Sequence, residues 1–181
     1  YLVYFNVELR DEYANSPYNS KRQGTYQERV VKGEIISADG ETLASTQTDS
    51  EGNEFRLYPY ENIFAHVVGY SASGISGLEQ SMNSQLLTSH SNMLEQVENE
   101  FKDEKNIGDN VITTLDTKLQ KVAYDALGNY KGAVVVMEPD TGKILAMVSK
   151  PDFNPNTITE DWEAINSDSA SSRLVNRATQ G

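Results

Sequence analysis

The sequence predicts an α+β fold in two units, and three observations carry that expectation. Short β-prone runs broken by Asp-Gly and Pro-containing turns fill the first half of the chain. Helix-capping patterns open two separate apolar stripes at helical spacing. Two apolar runs without polar alternation, residues 132–137 and 144–148, come late in the chain. That is the pattern of strands covered on both faces.

The elements follow in order. From Tyr1 to Leu9 the odd positions Tyr1, Val3, Phe5, Val7 and Leu9 are apolar, which fits a half-buried strand and equally the outer end of a membrane helix. Residues 13–27, polar around Pro17, read as an extended loop. Residues 30–36 and 42–44 flank Ala38-Asp39-Gly40-Glu41, a hairpin pattern in which glycine accepts the positive φ of the turn. Residues 46–54 form a polar loop, Phe55 to Tyr58 a strand, and Pro59 introduces a helical turn through Phe64. Val67 to Tyr70 is a second short strand candidate. Ser76-Gly77-Leu78-Glu79 has the form of a capping box, ahead of a stripe at Leu78, Met82 and Leu86. Met93, Leu94, Val97 and Phe101 mark a solvated, acidic helix that ends at Asn106-Ile107-Gly108, and the unit boundary is placed there, dividing 1–107 from 108–181.

In the second unit Asp116 should cap a helix whose apolar positions are Leu119, Val122, Ala123, Ala126 and Leu127, with Gly128 at its C-terminal end. The two apolar runs then pair through Glu138-Pro139-Asp140-Thr141-Gly142-Lys143. One helix covers one face of that hairpin. Residues 151–181, rich in serine, asparagine and acids with few apolar anchors, supply no second layer, so this unit reads as incomplete. The absence of an initiator methionine and the ending at Arg177-Ala178-Thr179-Gln180-Gly181 give the same expectation of a piece of something longer.

Composition narrows the function classes. Fifteen lysines and arginines stand against 27 acids among 181 residues, a formal charge of -12. Such a surface is unsuited to nucleic acid or to an adsorbed basic helix. No run reaches the about 20 apolar residues that cross a bilayer. With no cysteine, disulfides and thiolate chemistry are absent, and His66 and His90 are far apart with no HExxH-like surroundings. No metal, cofactor or catalytic residue is assigned. Asp140-Thr141-Gly142 matches the triplet of homodimeric aspartic proteases, but its neighbours are those of an exposed turn. Thr141-Gly142-Lys143 lacks the first glycine of a P-loop, and residues 49–54 lack the glycine of a calcium loop. Ser81-Met82-Asn83 lies within a helix, and neither Ser-x-x-Lys nor Lys-Thr-Gly occurs anywhere.

Several separated motifs together resemble one family. Lys32-Gly33-Glu34-Ile35-Ile36-Ser37-Ala38-Asp39-Gly40-Glu41-Thr42-Leu43-Ala44 resembles the R-G-x-I-x-D-R-x-G-x-x-L-A signature of class B penicillin-binding proteins, with lysine at the arginine position and Ser37-Ala38 in place of D-R. Arg56-Leu57-Tyr58-Pro59 with His66 to Tyr70 resembles their second motif, and Gly74-Ile75-Ser76-Gly77-Leu78-Glu79 their G-x-x-G-L-E. Asn15 to Asn19 resembles an N-P-x-N element. Thr113-Thr114-Leu115-Asp116 with Leu119-Gln120 is similar to the opening of the transpeptidase domain, residues 132–147 to its first hairpin, and Asn176-Arg177-Ala178 to the run that leads to the serine nucleophile.

The resemblance implies an elongated non-catalytic pedestal of short strands and two helices, followed by one helix and a β-hairpin of an α/β/α transpeptidase domain. The parent would cross-link peptidoglycan through a serine acyl-enzyme on the outer face of the bacterial membrane, held by an N-terminal helix. This chain would position the catalytic domain, without cofactor, and meet divisome or elongasome partners. A stand-alone scaffold of the cell-wall machinery is the alternative, and a DTG protease a remote one. The motif residues are Lys32, Gly33, Asp39, Gly40, Leu43, Ala44, Arg56, Pro59, Gly74, Gly77, Leu78, Glu79, Thr114, Asp116 and Gln120. Arg56 and Glu79 are expected to pair, and the 132–149 hairpin, lacking cover, to self-associate or leave residues 151–181 disordered.

Overall fold

The computed structural model describes residues 30–90, 102 and 105–180. The strand expected at 1–9, the N-P-x-N-like element and, apart from Lys102, the acidic helix at 93–104 lie outside these residues.

The Asp-Gly hairpin forms as the pattern predicts. Strand β2 (Ile35–Ile36) runs antiparallel to β3 (Thr42–Thr48), with Ile35 opposite Ala44. The Ser37 amide donates to the Glu41 carbonyl at 2.9 Å, and Gly40 takes φ +86°. Strand β4 (Glu54–Leu57) pairs with the far end of β3. Short β1 (Val30–Val31) and β5 (Asn106–Ile107) pair in parallel, and β6 (Val111–Ile112) joins β2. The order β4-β3-β2-β6 thus brings residue 111 beside residue 35. Ile35, Leu43, Ala44, Tyr58, Phe64, Val68, Leu86 and Leu115 close one core beneath this sheet.

A 3₁₀ turn, Glu61–Phe64, leads into α1 (Ala65–Val68). The strand expected at Val67 to Tyr70 is therefore corrected to a helical turn ended by Gly69 at φ +86°. Packing overrides the β preference of the two valines: helical geometry puts Val68 in the first core and Ala65 in a second, and the Gly69 amide closes the turn on the Ala65 carbonyl at 2.9 Å. The Leu78-Met82-Leu86 stripe does face the core, but on two short helices, α2 (Gly77–Ser81) and α3 (Asn83–Leu86). The capping box does not form. Ser76 makes no side-chain cap bond and Glu79 is fully buried.

Helix α4 (Thr117–Leu127) starts where Asp116 predicts, its side chain accepting the Leu119 amide at 2.8 Å, and Gly128 ends it at φ +54°. Its buried face differs from the apolar stripe. Thr117, Gln120 and Ala123 face inward, while Leu119 and Val122 are exposed. Ala123 and Leu127 pack on Val134, Val136, Ala146 and Val148 of the hairpin β7 (Gly132–Met137) and β8 (Ile144–Lys150). Strand β7 is covered on that face alone, since Val135 and Met137 point to solvent. The turn between the strands holds Asp140-Thr141-Gly142 as an exposed bend, with the Thr141 hydroxyl on Glu138.

Of the two outcomes expected for the poorly covered hairpin, self-association or disorder of residues 151–181, the second does not occur in residues 151–180. Helix α5 (Ile158–Ser167) buries Ile158 and Ile165 with Phe153 against Ala65 and Tyr70, Trp162 and Leu174 packing alongside. The anchors are few but spaced at i, i+4 and i+7 from Ile158, the stripe of a short amphipathic helix.

Candidate functional site

The first group of motif residues meets around one buried carboxylate. Glu79, 0% exposed, receives Arg56 Nε on Oε1 at 2.7 Å and Lys32 Nζ on Oε2 at 2.6 Å. The Arg56–Glu79 pair is the contact expected from sequence; its partner Lys32 supplies a point charge where the family pattern has a planar fork. Arg56 Nη1 also donates to the carbonyls of Lys32 and Gly33 and to the Thr46 hydroxyl, at 3.3, 2.8 and 3.0 Å. The side chain from β4 therefore ties the β1–β2 segment to α2 through a carboxylate and two backbone oxygens. Arg56 Nη2 has no hydrogen-bond partner among the described residues.

This cluster puts two cations against one acid in a low-dielectric place. Burial pulls the Lys32 ammonium below its ordinary pKa, and the Glu79 carboxylate opposes the shift. Tyr58, whose hydroxyl lies 3.5 Å from Glu79 Oε1, has its pKa pushed up by burial first and by that carboxylate second. Two motif glycines allow the approach. A Cβ on Gly33 would stand 2.1 Å from the Asp109 carbonyl oxygen, and one on Gly77 2.8 Å from the backbone of Val68 and Gly69. Leu43 and Ala44 are buried beneath, and Leu78 packs on the same core.

The second group joins the hairpin turn to α4. Asp39 Oδ2 accepts the Thr117 hydroxyl at 2.5 Å, and Oδ1 the Thr117 amide at 3.4 Å. A carboxylate here satisfies an orphan amide in the first turn of a helix. Hydrogen bonds from Ser37 and then Thr117 hold Asp39 below the usual carboxylate range. Gln120, 0% exposed, closes the outer edge of β8. Its amide donates to the Met147 and Ile63 carbonyls at 2.8 and 2.7 Å, and its oxygen accepts the Met147 amide at 2.8 Å. Thr114 donates to the Ile144 carbonyl at 2.6 Å, beside the cap Asp116, whose amide reaches the Leu145 carbonyl. Pro59, Gly40 and Gly74 join neither group. They sit in turns, Gly40 and Gly74 at positive φ.

Three further residues brace the same junction: Asn156 carried no readable pattern, while His66 and Asn176 stood in motifs without an assigned contact. Asn156 braces Tyr58 in both directions, its oxygen accepting the Tyr58 amide and its amide donating to the Tyr58 carbonyl, both at 2.9 Å. His66 Nε2 bonds the Arg173 carbonyl at 2.7 Å and its ring packs edge-on to Phe153. Asn176 donates to the His66 carbonyl at 3.4 Å. Each acts on backbone far away in sequence, which spacing does not encode.

Two family models match separate stretches of the chain. Residues 32–111 match the penicillin binding protein A dimerisation domain, and residues 132–181 the penicillin binding protein transpeptidase domain. The peptidoglycan D,D-transpeptidase PbpA of Mycolicibacterium smegmatis is 37% identical over 160 residues, 79% of this chain and 32% of that protein. The MrdA transpeptidase of Acinetobacter baumannii is 31% identical over 161 residues, 70% of this chain and 23% of that protein. Among solved structures, the imipenem acyl-enzyme of penicillin-binding protein A from Mycobacterium tuberculosis superimposes with a TM-score of 0.72 at 30% identity, covering 84% of this chain and 38% of that one. The D,D-transpeptidase domain of a peptidoglycan glycosyltransferase from Eggerthella lenta gives 0.69 at 38% identity, over 83% and 32%. The chain spans about a third of the length of the first of these relatives.

Proposed function

Because the chain belongs to the penicillin-binding proteins, we propose that it is the positioning part of a peptidoglycan D,D-transpeptidase, with residues 1–107 as pedestal and 108–181 as the opening of the transpeptidase domain. In the parent protein a serine would be acylated by a D-Ala-D-Ala stem peptide and passed to a neighbouring amine, and penicillins would acylate the same serine. Such a nucleophile needs an adjacent base, and this chain holds no Ser-x-x-Lys and no Lys-Thr-Gly, while Ser81-Met82-Asn83, expected within one helix, bridges the end of α2 and the start of α3. Its contribution would be mechanical. The pedestal would space the catalytic domain from an N-terminal membrane anchor on the extracytoplasmic face and offer surfaces to division or elongation proteins.

The observation that carries this reading is the interlock at the junction. The turn of the β2–β3 hairpin caps α4 through Asp39, and Gln120 of α4 holds β8 in place. The motif residues around Glu79 brace that hairpin from behind. The charge-assisted Asp39–Thr117 bond, together with the neutral Gln120 bonds, supports a fixed orientation of α4 and β8 relative to the pedestal.

The test is covalent labelling. The 181-residue chain is expected to take no label from fluorescent penicillin and to release no D-alanine, whereas a longer form carrying a Ser-x-x-Lys is labelled stoichiometrically. A serine of the chain itself acylated one-to-one would overturn the proposal. In the longer form Asp39→Ala is expected to slow acylation while leaving the serine chemically competent. An unchanged rate removes the positioning role.

A further inference from the structure

Away from both clusters, three cations converge on one cleft. Lys131 before β7, Lys150 at the end of β8 and Arg173 beyond α5 line a cavity of about 400 Å³ with Tyr124, Tyr130 and Asp152. The chain carries 15 basic against 27 acidic residues, so three cations around one concavity run against its overall charge. Focusing of like charges in a cleft raises the local concentration of a counter-ion.

The donors there are largely free. Lys150 Nζ donates to the Gly128 carbonyl at 2.7 Å and stands 3.6 Å from the Tyr124 ring centroid. Lys131 Nζ donates to the Ala170 carbonyl at 3.0 Å. Among the described residues neither ammonium lies within ion-pair distance of a carboxylate, and the Arg173 guanidinium makes no hydrogen bond but forms a long ion pair with Asp168, 3.9 Å from Nε to Oδ2. An ammonium has three donors and a guanidinium five, leaving about nine N–H groups available. The acids nearby are already engaged. Asp152 accepts the Tyr124 hydroxyl at 2.6 Å and the Asn62 amide at 3.0 Å. Asp168 accepts the Ser171 hydroxyl and amide at 2.5 and 3.1 Å.

The volume lies within the about 300–1,000 Å³ typical of small-ligand pockets and exceeds what a bare phosphate fills. Tyr130, 78% exposed, offers a ring face at the rim. We propose that this cleft binds a phosphate- or carboxylate-bearing ligand of sugar size, its oxyanion among Lys131, Lys150 and Arg173 and its body against Tyr130. The site stands apart from the transpeptidase reading and does not depend on it.

Titration of the chain with glucose 6-phosphate, glucuronate, glucose and inorganic phosphate, followed by amide NMR shifts, tests the site and separates phosphate from carboxylate sources. Saturable shifts centred on residues 128–131 and 171–173 are expected with one or both sugar anions. Glucose should give none, and phosphate should bind at least about tenfold more weakly, a difference of about 1.4 kcal/mol. The double variant Lys131→Ala/Arg173→Ala should weaken the sugar anions about tenfold or more, Arg173→Lys should retain most of the affinity, and raised salt should weaken binding through screening. Glucose or phosphate binding as tightly as the sugar anions, no saturable shift with either anion, or affinity unchanged in a folded double variant would each overturn the proposal.

Discussion

Glu79 is the residue on which most depends, because it is a buried carboxylate shared by two cations. Removing one partner from a buried charge cluster costs about 3–5 kcal/mol, since the remaining charges stay desolvated and unpaired. Glu79→Gln leaves Lys32 and Arg56 in that position and should lower the unfolding free energy by that amount. Lys32→Met keeps the Arg56–Glu79 pair, removes a charge that burial disfavours, and should cost much less. A Glu79→Gln variant as stable as the parent chain in urea titration would show that the cluster carries no net stability. His66 gives a pH dependence. Burial holds its folded pKa below the ordinary value, partly countered by its bond to the Arg173 carbonyl and by Asp152, with Arg177 acting in the same direction as burial. The unfolded chain, titrating near about 6.5, takes up a proton that the folded chain resists. Stability is therefore expected to fall as the pH drops through the unfolded value, levelling off below the folded one. The shift in urea midpoint between pH 7.5 and 5.5 should shrink in His66→Gln, and an identical shift in both proteins counts against the assignment.

At the scale of elements, α4 shows why a helix can bury its polar face. Gln120 lies inward because β8 presents an amide and carbonyl at Met147 that need partners; two bonds satisfy them and a third holds the Ile63 carbonyl. Leu119 and Val122 are then left outside. Gln120→Leu strips partners from Met147 and from the Ile63 carbonyl, each orphan costing about 1–3 kcal/mol. Amide exchange at Met147 should accelerate markedly, and protection unchanged there would refute the role. The hairpin is the weak element. Val135 and Met137 on β7 are 46% and 55% exposed, and among the described residues β7 pairs only with β8. An uncovered strand edge of this kind invites another chain, so concentration-dependent association is expected in sedimentation and should be suppressed by Val135→Lys. A monomer at high concentration with both strands strongly protected would argue the other way.

Across the whole molecule the chain's two halves share their cores. Leu115 lies in the cluster of Ile35 and Leu86, and Phe153 and Ile158 lie with Ala65 and Tyr70. Asn156 and Asp39 add polar ties between the halves. A single cooperative unfolding transition is expected, with far- and near-ultraviolet dichroism coincident, and two separated transitions would contradict it. The α+β character, the Asp-Gly hairpin, the start of α4 at Asp116 and the Arg56–Glu79 pair were legible in the sequence. Turn glycines, cap carboxylates and spaced motifs express local chemistry that neighbours along the chain complete. Tertiary structure alone decided the rest. It turned Glu79 from a cap into the centre of a charge cluster, made Val67 and Val68 part of a helical turn, and chose the polar face of α4 for burial. It also ordered residues 151–180 around three anchors. In each case the deciding partner is a backbone group or core side chain tens of residues away, and hydrophobic periodicity carries no record of what lies opposite.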